Sequence, residues 1–290
     1  MSDSRLSQHI GKSLKNSPGR TSPAITEKAF LELCHPRLYP AMFRANVQKF
    51  IRECLQKVIT RPAEELMFSL WQKKTSLGKW VEKAGLPRRS IEAHFQAALT
   101  LEVDPHSLNT LIAFENKYQR RSLGNRFIWD GDWDKNTRHF HDTERYRFLA
   151  DIWEHRSDLT RSSRFQELTA MYRNKKPYSS YHKGVYLDTD SKVHRFLEIY
   201  LTFMKQLEQD GYNPSLAEDH IGIALDRKGH MVKINKGLHR LAMAQIVGLK
   251  KLPVCIRAVH RYWWNTNNAE PGKKPWAIPD HLTSQLFSEH

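Results

Sequence analysis

Two short runs carry side chains whose types and spacing could do chemistry. In Asn235-Lys236-Gly237-Leu238-His239-Arg240, a glycine stands immediately ahead of LHRLAMAQIVG, a run with helical periodicity. Glycine there lets the backbone approach a ligand closely, and the N–H groups at a helix start bind anions. His239 and Arg240 in the first turn, with Lys236 beside them, can add charge-assisted bonds to a phosphate. The same two side chains could equally cap and salt-bridge an ordinary helix. The second run, Trp129-Asp130-Gly131-Asp132-Trp133-Asp134, alternates three carboxylates around a glycine. Clustered anions repel unless a cation compensates them. Asp130, Asp132 and Asp134 offer hard oxygen ligands that suit Mg²⁺. The alternative is a turn in which they cap backbone N–H groups and pair with Arg126 or Arg138.

Other candidates are weaker. Trp133, His260 and Trp264 could contact an acceptor or a base, since an aromatic stacks and a histidine handles protons; core packing is the competing reading. His139 and His141 in HFHDTERY lack a third ligand, so metal binding is not expected there. Gly-x-Ser-x-Gly, HExxH and Walker-type loops are absent from the sequence.

The elements that must position these groups follow from periodicity. Ile221, Ile223 and Leu225 alternate as a strand, Asp226–Gly229 turns, and His230–Ile234 returns, which makes a hairpin. Asn235–Gly237 is a loop, the helix from Leu238 stops at Gly248, and LPVCIRAV reads as a buried strand. A helix from about Asp190 to Asp210 places Val193, Phe196, Leu197, Tyr200, Met204 and Leu207 on a core face, with Gly211 ending it. From Thr26 to about Tyr118 the pattern is helical. Met42, Phe43, Val47, Phe50, Ile51, Cys54, Leu55 and Val58 mark one amphipathic helix, and Pro62 stands where a new one could start. Ser76–Leu99, with Gly85 between two short helical runs, has a helix-turn-helix outline with Arg88, Arg89 and His94 near the second helix. Residues 119–190 are irregular, polar and dense in aromatics.

Five segments result: a basic tail over 1–24, a helical domain over 25–120, an aromatic-rich connector over 121–190 packed on the C-terminal domain, a domain core over 191–265, and a tail over 266–290. The fold class is α+β. With 40% hydrophobic and 11% aromatic residues in 290, the chain can bury a core. No apolar run approaches a membrane span, no secretory h-region opens the chain, and Cys34, Cys54 and Cys255 stand far apart, so a cytoplasmic location is the expectation. The net charge of +15 invites polyanionic partners. It is spread evenly, with 19 Lys+Arg against 11 acids over residues 1–120 and 27 against 20 over the remainder.

The segment from roughly 219 to 260 resembles the ParB/sulfiredoxin-like nucleotide-binding superfamily through Gly237-Leu238-His239-Arg240 and the LAMAQIVGLKKLPV that follows. VDPHSL (Val103–Leu108), IWDGDWD (Ile128–Asp134) and VHRYWW (Val259–Trp264) extend the resemblance toward uncharacterised prokaryotic members associated with surface-polysaccharide or lipopolysaccharide synthesis. The resemblance implies a mixed α/β domain that binds ATP, ADP or CTP, with Mg²⁺ assisting and Asn235–Arg240 holding the phosphates. It implies a phosphotransferase (kinase-like) or nucleotide hydrolase, acting on a sugar, glycolipid or small hydroxy compound. Asp219 or the Asp130–Asp134 cluster would orient Mg²⁺ or the acceptor hydroxyl, with His239 and Arg240 at the phosphates. Lys236 stands where a small or acidic residue often precedes the glycine. Sulfiredoxin chemistry lacks its cysteine in the turn. A nucleotide-gated DNA-binding protein is an alternative, against which the order of the segments argues, and a non-catalytic scaffold in glycan synthesis is another.

Overall fold

The computed structural model describes residues 29–73, 75–182, 184–213 and 220–268. Asp219, the expected tail over 1–24 and nearly all of the tail over 266–290 lie outside the described residues. The N-terminal part is helical: α1 (Tyr39–Leu55), a π-helical turn (Gln56–Thr60), α2 (Arg61–Gln72), α3 (Ser76–Ala84) and α4 (Arg88–Phe95). Pro62 does not start a separate helix. It lacks an N–H and would crowd the carbonyl four residues back, and the chain answers by widening the turn, with the Arg61 N–H donating to Gln56 O five residues back. Helix therefore runs unbroken from Tyr39 to Gln72.

Then follow β1 (Thr100–Val103), β2 (Thr110–Ile112), α5 (Lys117–Gly124), β3 (Ile128–Trp129) and β4 (Thr137–His139). The helical reading of 25–120 thus stops at Phe95, because β1 and β2 are drawn into the sheet by long-range pairing that no local pattern encodes. The connector is more ordered than its composition implies. It forms α6 (Glu144–Glu154), α7 (Ser163–Arg173), β5 (Tyr178–Ser180) and β6 (Val185–Leu187). Thr143 and Ser162 cap the two helices through side-chain oxygens.

The remainder matches its periodicity closely: α8 (Asp190–Asp210), β7 (Ile221–Leu225), β8 (Met231–Lys233), α9 (Leu238–Ile246), β9 (Leu252–His260) and α10 (Arg261–Asn268). The mixed sheet has the order β1-β9-β7-β8-β2-β4, with β3 joined to the far end of β9. Strands β7 and β9 are parallel, and β8 returns antiparallel to β7. Alternation along β7 sends Ile221, Ile223 and Leu225 toward the main core shared with α6, α8 and α9. Ala224 faces a smaller cluster with Ile112, Trp129, Trp133, Val232, Ile234 and Ala258. This is an α+β fold with an N-terminal helical region.

One carboxylate ties the helical region to the C-terminal end of the chain. Glu82 of α3 accepts the indole N–H of Trp71 at 2.9 Å and that of Trp264 at 2.8 Å, and both indoles are buried. Arg261 donates to the carbonyls of Glu82 and Lys83. Because buried donors are costly to strand, Glu82→Ala is expected to lower unfolding stability by about 2–3 kcal/mol, with Glu82→Gln, which keeps one acceptor oxygen, losing less. The urea midpoint at constant m-value checks this.

Candidate functional site

Gly237 occupies the left-handed region (φ 77°) and is the N-cap of α9. A Cβ there would stand 2.9 Å from Ile221 Cγ1, so both conformation and space require glycine. Having no side chain, Gly237 leaves the helix uncapped on that side, and the first N–H groups of any helix lack intrahelical acceptors. Leu238 is buried and anchors the turn, while Asn235 is exposed and Lys236, His239 and Arg240 are half-buried around it. His239 stacks on the buried Tyr200 of α8, with ring centroids 5.9 Å apart, and Arg240 donates to the Tyr212 hydroxyl at 3.0 Å.

Beneath this turn lies a residue that sequence reading passed over. Lys233 is fully buried, and its Nζ donates to the carbonyls of Gly222 (2.9 Å), Ile234 and Lys236. Its register partner is Ile223, so strand alternation points it to the core face. That inward position was the available signal. Burial drives its pKa well below the ordinary lysine range, and the charges of Arg240 and Arg257 act the same way. The three carbonyls favour the ammonium, which needs three acceptors. By drawing in the carbonyls of residues 234 and 236, Lys233 sets the path of the loop that enters α9. Gly222 plays a complementary part: a Cβ there would meet Arg257 Cδ at 2.7 Å, so a larger residue would push the Arg257 stem aside.

The other end of α9 is fixed by the other quoted motifs. Buried Gln245 donates to Pro105 O at 2.7 Å and meets His141 Nε2 at 3.1 Å. VDPHSL and HFHDTERY therefore converge on this helix as clamps.

The carboxylate run lies elsewhere. Asp134 receives Arg227 Nε at 2.7 Å, Nη2 at 2.6 Å and the Arg227 backbone N–H at 3.2 Å, and Asp132 receives Nη2 at 2.7 Å. Lys135 pairs with Asp132, and Arg261 with Asp130. The compensating cations are thus Arg227, Lys135 and Arg261 rather than Arg126 or Arg138. Among the described residues no group of three His, Cys, Asp or Glu side chains is placed to hold a metal ion. The expected ligand set Asp130, Asp132 and Asp134 does not form, since a guanidinium already bridges two of the carboxylates. Asp130 and Asp132 instead line an open cleft of about 240 Å³ with Glu115, Gln119 and Ser122.

Nor do the carboxylates meet the Gly237 turn. Gly237 packs on Ile221 at the start of β7, whereas Arg227 follows its end, about 13 Å along the strand at 3.3 Å per residue. The carboxylate run therefore does not share the Gly237 turn, from which it is set apart by the length of β7. The proposed contacts Trp133, His260 and Trp264 are all buried. His260 Nδ1 accepts the Tyr262 N–H and Nε2 faces Gly131 O at 2.9 Å, so both nitrogens serve the structure. Trp264 is held in the core by Glu82.

The helix-turn-helix outline is real in shape, with α3, a turn at Gly85 and α4. Its arginines are engaged within the molecule: Arg88 with Glu92 and Gly124 O, and Arg89 with Glu64. His94 packs on Phe68 at 4.2 Å.

Comparison with protein-family models, curated proteins and solved structures finds no match.

The Asp134–Arg227 pair makes stability depend on acid. Burial alone would raise the Asp134 carboxyl, but the bonds from the Arg227 side chain and backbone outweigh it and hold it at about 2. The ordinary value is near 3.9, so this contribution is complete above about pH 4 and is lost as pH falls toward about 2. It amounts to about 2 kcal/mol. Asp134→Asn is expected to be less stable than wild type at pH 7, with the difference shrinking across that window in urea titrations.

Proposed function

We propose that the protein binds the phosphate groups of a nucleotide at the turn Lys236-Gly237-Leu238-His239-Arg240. The observation that carries this reading is the close-packed, left-handed Gly237 opening α9, with basic side chains gathered around the turn and buried Lys233 holding the loop beneath it. Left-handed glycine at a helix start, positive helix end and clustered cations share one electrostatic sense, which suits a polyanion. The residues present fit a phosphate: helix N–H groups and Arg240 as directional donors, and Lys236 as a compact charge. The resemblance implies ATP, ADP or CTP as ligand. A sugar, glycolipid or small hydroxy compound would be the acceptor if transfer follows binding.

Mg²⁺ fits less well. The carboxylates expected to hold it are paired with cations at the other end of β7. Nucleotide phosphate binding is the reading the geometry favours. Transfer or hydrolysis is the activity to be tested with it.

Isothermal titration with ATP, ADP and CTP, with and without Mg²⁺, checks the reading. At least one is expected to bind. Loss of a charge-assisted bond should make Arg240→Ala weaker by about tenfold or more, and Gly237→Ala should lose binding more completely because the turn itself must shift. Failure of all three nucleotides to bind, or unchanged binding by Arg240→Ala, overturns it. Phosphate release, or transfer to a sugar acceptor by the nucleotide-loaded protein, separates an enzyme from a non-catalytic binder.

A further inference from the structure

The long N-terminal helix carries an apolar face that, among the described residues, stays exposed. Periodicity assigns Phe43, Val47, Phe50, Ile51, Cys54, Leu55 and Val58 to a core, yet α1 and the π turn contain no buried residue. Phe43 is 72% exposed, Phe50 66% and Val58 74%, and Ile51, Leu55 and Ile59 are exposed as well. The substantial contacts of this segment are with the turn before it and the helix that continues it. Only where α2 begins does the helix bury side chains, with Glu64, Phe68 and Trp71.

The exposed side chains are not scattered. At 100° per residue Phe43, Val47, Phe50 and Cys54 of α1 fall within about 60° of one another, and Ile51 and Leu55 widen the band on one side. The half-buried residues Met42 and Ala45 lie on the other side, and Met42 reaches Gly184. The apolar band therefore points away from the body. Contiguous apolar surface of this kind marks a partner or a membrane.

Charge decides between them. From Tyr39 to Arg61 the chain carries Arg44, Lys49, Arg52, Lys57 and Arg61 against Glu53 alone. Lys49 and Arg52 stand opposite the band. Arg44 and Lys57 flank it, where long aliphatic stems can lie along apolar surface while the charge reaches outward. Two such arms packed together would bring like charges into contact on molecules that each carry +15. An anionic bilayer complements both the charge and the apolar band. None of the described helices is long and apolar enough to cross a membrane, and a basic amphipathic helix lies in the interface instead. We infer that residues 39–60 form a peripheral docking helix for anionic phospholipid, with Phe43, Val47, Phe50 and Val58 seated at the headgroup–acyl boundary. This inference is independent of the nucleotide reading.

Co-sedimentation of the full chain with vesicles tests it. Binding is expected to phosphatidylglycerol–phosphatidylcholine vesicles (30:70), to weaken as salt rises, and to be far weaker to pure phosphatidylcholine; those proportions define only the probe, roughly one-third anionic lipid. Phe43→Glu/Phe50→Glu should cut binding by about tenfold or more without moving the thermal midpoint, because both side chains are exposed. Val47→Ser/Val58→Ser, a milder change, should weaken it in the same direction. No binding to the anionic vesicles overturns the inference. So does equal binding by the double variants, which would assign it to diffuse surface charge. A wild-type dimer in sedimentation equilibrium that Phe43→Glu/Phe50→Glu dissociates also overturns it and makes a second copy the occupant.

Discussion

A buried lysine nitrogen must be given acceptors, and the way this chain does so shapes the centre of the fold. Lys233 stands at a core position of β8, opposite Ile223, where an aliphatic side chain would be unremarkable. Its Nζ instead pulls in the carbonyls of Gly222, Ile234 and Lys236. Those three carbonyls belong to β7 and to the loop after β8, so a single group couples the strand to the loop. The loop then reaches Gly237 in a left-handed conformation packed on Ile221. The direction in which α9 leaves the sheet depends on this coupling, and so does the grouping of Lys236, His239 and Arg240. Leaving a buried polar group without its partners is among the more disruptive changes a core can suffer.

The molecule has two polar centres at opposite ends of β7, and they differ in kind. At the start of the strand, cations surround a helix entrance. At its end, Arg227 closes the Asp132–Asp134 run, and His260, Trp129 and Trp133 pack beside it. The second centre is internally neutralised. It holds the β7–β8 turn to the loop after β3, and through Arg261 and Asp130 to α10. The first is built around a helix N-terminus opened by a left-handed glycine, a backbone geometry suited to an anionic ligand. In the N-terminal helices, α4 has its arginines matched by Glu64 and Glu92, while α1 carries three cations against Glu53 alone.

Legibility in sequence followed the range of the interaction. The β7–β8 hairpin, the Gly237 turn, α9, β9 and α8 were all readable, because turn chemistry, capping residues and periodicity act within a few residues of the chain. Gly211 and Gly237 fell where helix-end and helix-start rules place them. The strands β1 and β2 were not readable, since Thr100–Val103 becomes a strand only by pairing with Leu252–Cys255 some 150 residues away. The helices α6 and α7 were hidden by their many aromatic and polar residues, although Thr143 and Ser162 were correct capping types. Pro62 misled for a different reason: its steric rule was right, but a π turn satisfies that rule without ending the helix.

For the site, residue types alone named the Gly237–Arg240 turn, because glycine's conformational freedom and the helix N-terminus are local properties. They also grouped Asp130, Asp132 and Asp134 correctly as a cluster in need of a cation. They could not say which cation, since Arg227 lies 93 residues from Asp134. Nor could they show that β7 separates this cluster from the turn. Amphipathicity along Phe43–Val58 was likewise a sequence property, but whether that face is core or surface depends on what packs against it. Local backbone preference and side-chain periodicity are written in neighbouring residues. Charge partners, burial and the distance between two sites arise only when segments remote in the chain are brought together.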